Sequence, residues 1–248
     1  MINQSKSPKV IATIEARMGS SRLPGKVLMK IKGKPLLHFL IERLKRVSRI
    51  DQIIVATTDK SEDDLIEVFA KSIGISIFRG DESDVLKRIY DTSVYFESDI
   101  IIQLTGDNPL IDCEILEKCL VKFMEEKPDS LNTIYSKTFP VGMFINIISF
   151  NALKKSHEEA DGIYREHVGL FIKDNPDKFN TISLVAEKSL RRPDISITVD
   201  EMEDFKFIKE IIEHFEKKNQ NFNCGDLLEF LRNNEKLTNI NKKIKRRF

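Results

Sequence analysis

The sequence is short of cysteine, of long apolar runs and of any excess of charge, and each shortage removes a class of protein. Its three cysteines, Cys113, Cys119 and Cys224, stand at irregular spacing without a Cys-x-x-Cys pair. An odd, unpatterned set supports neither a disulfide framework nor a zinc site, and it fits the reducing cytoplasm, the location expected. No apolar run approaches the about 18 residues that cross a bilayer. Residues 1–9, MINQSKSPK, lack the apolar stretch of a signal peptide. A membrane partner is therefore not expected. Forty basic residues face 39 acidic ones, a net charge of +1, so no general electrostatic case exists for nucleic acid. The basic tail over 242–247 reads as a solvated, frayed end.

Linkers, repeats and low-complexity tracts are missing too. The 248 residues are enough to bury a core, and the expectation is one domain over 1–248. Within it, about 8–128 reads as a nucleotide-binding half, about 129–200 as an acceptor lobe with a metal-ligand strand, and 201–248 as C-terminal helices. Two familiar phosphate motifs are also missing. A Walker A loop needs four residues between its glycines and a Ser or Thr after its Lys. Here five residues separate Gly19 from Gly25, and Val27 follows Lys26. The GxGxxG dinucleotide fingerprint is absent as well.

What is present is the loop ARMGSSRLPGK over 16–26, directly after the apolar run Val10-Ile11-Ala12-Thr13-Ile14. It gathers Arg17, Arg22 and Lys26 around Ser20, Ser21 and two glycines. Glycines allow close approach, backbone N–H groups donate, and cations neutralise, a combination suited to a polyphosphate. The bland alternative is a basic, solvated strand–helix connection.

Short apolar runs at 53–56 and 100–104 alternate with amphipathic stretches. Leu36, Leu37, Leu40, Ile41 and Leu44 share one helical face, with Pro35 at the first turn. Ser61, Ser83 and Asp112 stand where helix caps belong. Such alternation predicts an α/β fold with a doubly wound, mostly parallel sheet. Further strands are expected over 144–148, 179–185 and 195–199, and helices near 164, over 205–215 and over 226–231. Cys119 falls on an apolar helical stripe and reads as core. His38, His157 and His214 read as structural or surface residues.

Ligands of open α/β sheets sit at the carboxyl ends of strands. The 16–26 loop, Asp59 and Asp107 each follow an expected strand, and Asp200 ends another. Two carboxylates with phosphate oxygens are usual ligands for Mg²⁺. The reaction class that follows is attack on the α-phosphate of a nucleoside triphosphate with loss of pyrophosphate, the protein supplying position and charge. Taken singly, Asp107 before Asn108-Pro109 also reads as a turn former, and Asp200 as a cap for the next helix.

ARMGSSRLPGKVLMKIKGKPLL resembles the opening signature of the cytidylyltransferases that activate acidic sugars, the CMP-Kdo and CMP-sialic acid synthetases. It is most similar to the spore-coat polysaccharide (SpsF-like) branch. The likeness continues through VATTDKSEDD, RGDESDVLKR, QLTGDNPLID, TFPVG, YREHV and ITVDEMED, in order along nearly the whole chain. It implies a Rossmann-like, GT-A-like nucleotidyltransferase fold with a small inserted substrate and dimerisation lobe, and a homodimer. It implies Mg²⁺ as cofactor, CTP as donor and a small anionic acceptor. By matching position, Arg17, Ser20 and Lys26, with Arg22 nearby, would bind the triphosphate. Asp107 and Asp200 would bind the metal, and Lys26, Arg17, Asp107 and Asp200 would be catalytic. Thr58, Asp59, Ser83 and Arg88 fall in stretches that line the nucleotide pocket. Glu166 and His167 resemble a further family signature and are read as acceptor-binding; His167 could hydrogen-bond the acceptor or assist proton removal, and a buried structural role is its other reading.

The likeness breaks at one place. Relatives often carry FPDG followed by Asp-Val-Glu; here Val141, Phe144 and Asn146 stand instead of the acids. If this stretch faces the acceptor, Val141 and Asn146 make its pocket less anionic; otherwise it is an ordinary packed strand. Three competing functions remain at this level. One is transfer to a phosphorylated acceptor, for which Arg165, Arg191 and Arg192 offer charge. Another is a nucleotide-binding module without catalysis. The third is a glycosyltransferase, which would usually need a DxD-type motif.

Overall fold

A computed structural model of the protein describes residues 7–218 and 221–245. Most of the 1–9 opening and the last two tail arginines, Arg246 and Arg247, lie outside the described residues. Nine strands occur there: β1 (Val10–Glu15), β2 (Lys30–Ile31), β3 (Lys34–Pro35), β4 (Gln52–Thr58), β5 (Ser76–Gly80), β6 (Ile100–Thr105), β7 (Ser130–Asn132), β8 (Asn146–Ser149) and β9 (Thr181–Ser183). Ten helices join them: α1 (Leu36–Leu44), α2 (Asp64–Ser72), α3 (Val85–Tyr95), α4 (Cys113–Glu126), α5 (Phe150–Glu159), α6 (Ile163–Glu166), α7 (Leu170–Asp174), α8 (Met202–Lys217), α9 (Cys224–Asn233) and α10 (Glu235–Thr238).

Seven strands form one sheet in the order β5-β4-β1-β6-β8-β7-β9. The β5-β4-β1-β6 pairs are parallel, β8 is antiparallel to β6 and β7, and β9 is parallel to β7. The strands of 129–183 thus extend the same sheet. Sequence order runs outward from β1 to β4 and β5, then crosses back to β6 on the other side of β1. The carboxyl ends of β1 and β6 therefore flank the switch point, where open sheets of this kind bind ligands.

Central strands are apolar on both sides because helices cover both faces. In β1, Val10, Ala12 and Ile14 face a core shared with α1, α4, α8 and α9, while Ile11 faces a second core shared with α3, α5 and α7. Leu36, Leu37, Leu40, Ile41 and Leu44 are buried along α1, the predicted stripe, with Pro35 at its N-cap. Asp112 caps α4 by accepting from Glu114 N and Ile115 N, and Cys119 is core.

Two expected caps move. For α3 the cap is Asp84, which accepts from Lys87 N, while the Ser83 hydroxyl donates to Asp81 at 2.7 Å. Ser61 opens a short 3₁₀ turn, Ser61–Asp63, without capping it. Nor does Asp200 cap α8: Asp204 accepts from the backbone N–H groups of Asp200 and Glu201, each at 3.0 Å.

The strand expected over 195–199 is an extended segment with a single bridge, Val141 to Ser196. It crosses from the 139–143 loop, where Val141 N donates to Ile195 O (2.9 Å), to the loop after β6, where Val199 N donates to Asp107 O (2.9 Å). Running between loops, it finds no neighbouring strand for a full ladder, yet it delivers Asp200 to Asp107.

Candidate functional site at the carboxyl edge

The loop after β1 is closed by its own backbone. Met18 O accepts from Ser20 N (2.8 Å) and Gly25 N (2.9 Å). Gly25 has φ +70°, a left-handed value that a side chain would strain. The start of the loop is tied down from the neighbouring strand. Asp63, fully buried, accepts from Met18 N (2.7 Å), Thr58 N (3.2 Å) and the Thr58 hydroxyl.

Lys26 leaves the loop's end as a buried cation, 9 % exposed. Its Nζ donates to Asp107 Oδ2 (2.7 Å), Val199 O (2.8 Å) and Asp200 Oδ1 (3.2 Å). Arg22 Nη2 stands 2.8 Å from the same Asp200 oxygen. Asp107 is steadied on its other side, where Oδ1 accepts from the Thr105 hydroxyl (2.7 Å), which in turn accepts from Asn108 Nδ2 (2.7 Å). The two carboxylates expected as metal ligands thus converge on one ammonium group.

The remaining expected residues divide. Arg17 points the other way, to Glu82 Oε1 at 3.2 Å, toward the loop after β5. Ser20 Oγ accepts from Leu23 N at 3.4 Å, within the loop itself. Asp59 and Ser83 are exposed along the carboxyl edge. Thr58 and Arg88 lie beneath it: the Thr58 hydroxyl is engaged by Asp63, and Arg88 Nη1 donates to Asp81 O at 2.5 Å, supporting the loop that carries Ser83. Val141 and His167 line a cavity of about 1040 Å³, with Tyr135, Phe139, Phe144 and Ile195. His167 is exposed, so the buried reading fails. Glu166 is exposed outside that lining. Asn146 is buried in β8, its amide donating to Gln103 Oε1 at 2.9 Å, because its register turns it onto the covered α3 face of the sheet. It does not line that cavity.

The arginines held in reserve for a phosphate acceptor are engaged. Arg165 Nη2 pairs with Asp84 at 2.6 Å, Arg191 Nε donates to Ala186 O at 2.9 Å, and Arg192 pairs with Asp194 at 2.8 Å. His157 stacks on Tyr90 with ring centres 4.3 Å apart and His214 packs on Phe230 at 4.0 Å, the structural roles expected.

Sequence reasoning missed Glu15, the charged last residue of an otherwise apolar strand. That interruption was its signal. Its Oε1 accepts from Gln103 Nε2 at 2.7 Å. Burial pushes its carboxyl from 4.5 up to about 7, against the opposing pull of Arg88. The folded state therefore holds a proton that the unfolded chain releases. Stability from this group is full below pH 4.5, falls as pH rises to about 7, and is level above. The loss is at most about 3 kcal/mol. Thermal melts of the wild type and Glu15→Gln should nearly coincide at pH 5, with the variant melting higher at pH 8; parallel pH profiles would refute the shift.

Among the described residues, no group of three or more His, Cys, Asp or Glu side chains converges as a complete metal cage. No helix there is long and apolar enough to cross a membrane.

Comparison with known proteins agrees with this geometry. A family model described as cytidylyltransferase matches residues 11–243. An uncharacterized protein of Methanocaldococcus jannaschii is 37% identical over 96% of this chain and 97% of its own. The spore coat polysaccharide biosynthesis protein SpsF of Bacillus subtilis is 32% identical, over 81% of this chain and 85% of its own. The solved structure of a cytidylyltransferase from Leptospira borgpetersenii superimposes with a TM-score of 0.88 at 31% identity, covering 97% of this chain and 100% of that one.

Proposed function

The chain belongs to the cytidylyltransferase family of nucleotidyltransferase enzymes, and from that premise we propose that it transfers CMP from CTP to an acidic sugar, for a surface polysaccharide or glycan. The observation that carries this reading is Lys26 Nζ held between Asp107 and Asp200 at the end of a phosphate-type loop.

An acceptor hydroxyl oxygen attacks the α-phosphorus of CTP, the bond to the bridging oxygen breaks, and pyrophosphate leaves while the hydroxyl proton passes to solvent. Lys26 and Arg22 neutralise the charge that builds on the departing phosphates. Incoming phosphates compete for the Lys26 ammonium and free the two carboxylates from it. Hard carboxylate oxygens fit Mg²⁺, which accepts an incomplete protein cage because it keeps waters and takes phosphate oxygens. Asp107 and Asp200 would hold it, and when bound it would offset triphosphate charge. The loop backbone is already closed, so these residues act mainly by fixing position.

The acceptor is assigned to the cavity lined by Val141 and His167. Its apolar wall leaves an anionic acceptor unrepelled. Val141→Asp is expected to lower kcat/KM for sugar acids at least about tenfold, equivalent to about 1.4 kcal/mol, with the KM for CTP unchanged. An unaltered acceptor profile would remove this assignment.

The phosphate-acceptor reading is weakened because Arg165 and Arg192 already pair with carboxylates and Arg191 is drawn to the Ala186 carbonyl, and the non-catalytic reading because both carboxylates are in place. The decisive assay supplies Mg²⁺, each of the four NTPs and a panel of sugar acids and sugar phosphates, and follows pyrophosphate. Release with CTP and a sugar acid is expected. Release only with a phosphorylated acceptor or another NTP would overturn the proposal.

A further inference from the structure

Asn146, Gln103 and Glu15 form a hydrogen-bond chain across three strands. The Ser130 hydroxyl donates to Asn146 Oδ1 (3.4 Å), Asn146 Nδ2 to Gln103 Oε1 (2.9 Å), and Gln103 Nε2 to Glu15 Oε1 (2.7 Å). A Cβ on Gly169 would lie 2.6 Å from Asn146 Nδ2, so the backbone closes over the inner end of the chain. The outer end opens at the switch point. Glu15 pairs with Thr105 in the β1–β6 ladder, two positions before Asp107, and is partly exposed there. Its second oxygen, Oε2, has no hydrogen-bond partner among the described residues.

We propose that Glu15 reads the base of the donor nucleotide, its Oε2 accepting a hydrogen bond from the exocyclic amino group of cytosine. This rests on the reading above that CTP is the donor. Asp107 follows β6 and Glu15 ends β1, neighbouring strands about 4.8 Å apart. A nucleotide whose phosphates reach Asp107 therefore lays its nucleoside across the end of β1. A carboxyl oxygen suits the amino group of cytosine. It opposes the 4-carbonyl of uracil, since two acceptors facing each other in a partly dry site leave both unpaired. Burial favours the neutral acid and Arg88 and Arg17 oppose it, so the carboxylate, which accepts only, prevails above about pH 7.

With Glu15 ionised, Gln103 Nε2 must donate to it, and that makes the test sharp. In Glu15→Gln, Gln103 Nε2 still requires an acceptor, so the new carbonyl turns toward Gln103 and the new NH₂ faces the base. Cytosine then meets a donor and uracil a partner. Calorimetric titration with CTP and UTP in Mg²⁺ at about pH 8.5, above the raised value for Glu15, is expected to show wild-type preference for CTP of at least about tenfold, and this preference abolished or reversed in Glu15→Gln. Glu15→Ala, which removes the reader without installing a donor, should bring the two affinities within about threefold, and it serves if the glutamine variant does not fold. For the wild type, the triphosphate of pyrimidin-2-one riboside, which lacks only the 4-amino group, should bind at least about tenfold more weakly than CTP. A retained CTP preference in the folded variants would overturn the role of Glu15 while leaving the cytidylyltransferase reading intact. Equal binding of CTP and UTP by the wild type would overturn both.

Discussion

Asp107→Asn is expected to lower kcat by about a thousandfold, the scale lost when one preorganised electrostatic contact to a transition state is removed. The substitution keeps the shape of the side chain, and the amide oxygen can still accept from the Thr105 hydroxyl. What disappears is the charge that holds Lys26 before nucleotide arrives and, on the proposed mechanism, a divalent cation afterwards. Because shape is kept and Lys26 retains Asp200 and the Val199 carbonyl, the fold should survive with a smaller drop in melting temperature than in Lys26→Ala. Asp200→Asn should act in the same direction. Its carboxylate meets both Lys26 and Arg22, so two cations lose a partner. Steady-state kinetics with CTP and a competent acceptor would decide, and turnover within threefold of wild type in either variant would exclude that carboxylate from the chemistry.

Lys26→Ala should damage both stability and turnover. Asp107 and Asp200 would be left near each other without the ammonium that joins them, and removing one partner of a largely buried ionic cluster costs about 3 kcal/mol. Turnover should fall at least about a hundredfold, since on the proposed mechanism the loop loses its innermost phosphate contact. A third effect separates this account from simple loss of packing. With the ammonium gone, Mg²⁺ can settle between the carboxylates even without nucleotide, so it should raise the melting temperature of Lys26→Ala more than that of wild type. Equal shifts would mean that the two acids do not form a cation site.

Much of this arrangement was legible in the sequence because it depends on local pattern. The apolar runs of β1, β4 and β6 needed helices on both faces, and the stripe of α1 could face only inward. Asp107 and Asp200 were legible as a pair because each follows an apolar run, although they lie 81 and 174 residues from Lys26. Residues whose roles depend on register escaped. Asn146 stands in a stretch that resembles an acceptor wall, but the β6–β8 alignment turns it onto the covered face against Gln103. The cap of α3 shifted by one residue because Ser83 is recruited by Asp81. Thr58 was expected at the pocket and serves Asp63 instead, a contact set by how the 3₁₀ turn folds back. Glu15 acquires meaning only once Gln103 lies beside it.

Asp63 has a further consequence for affinity. One buried carboxylate ties the start of the 16–26 loop to the end of β4 before any ligand is present. The conformational entropy of those loop residues is surrendered when the chain folds, not when the nucleotide arrives. On the proposed mechanism a triphosphate therefore meets a rigid receptor, and little of its contact energy is diverted into ordering the protein. The same tie couples recognition to the integrity of the sheet edge: loosening at 58–63 would erode nucleotide affinity while most of the fold still stood.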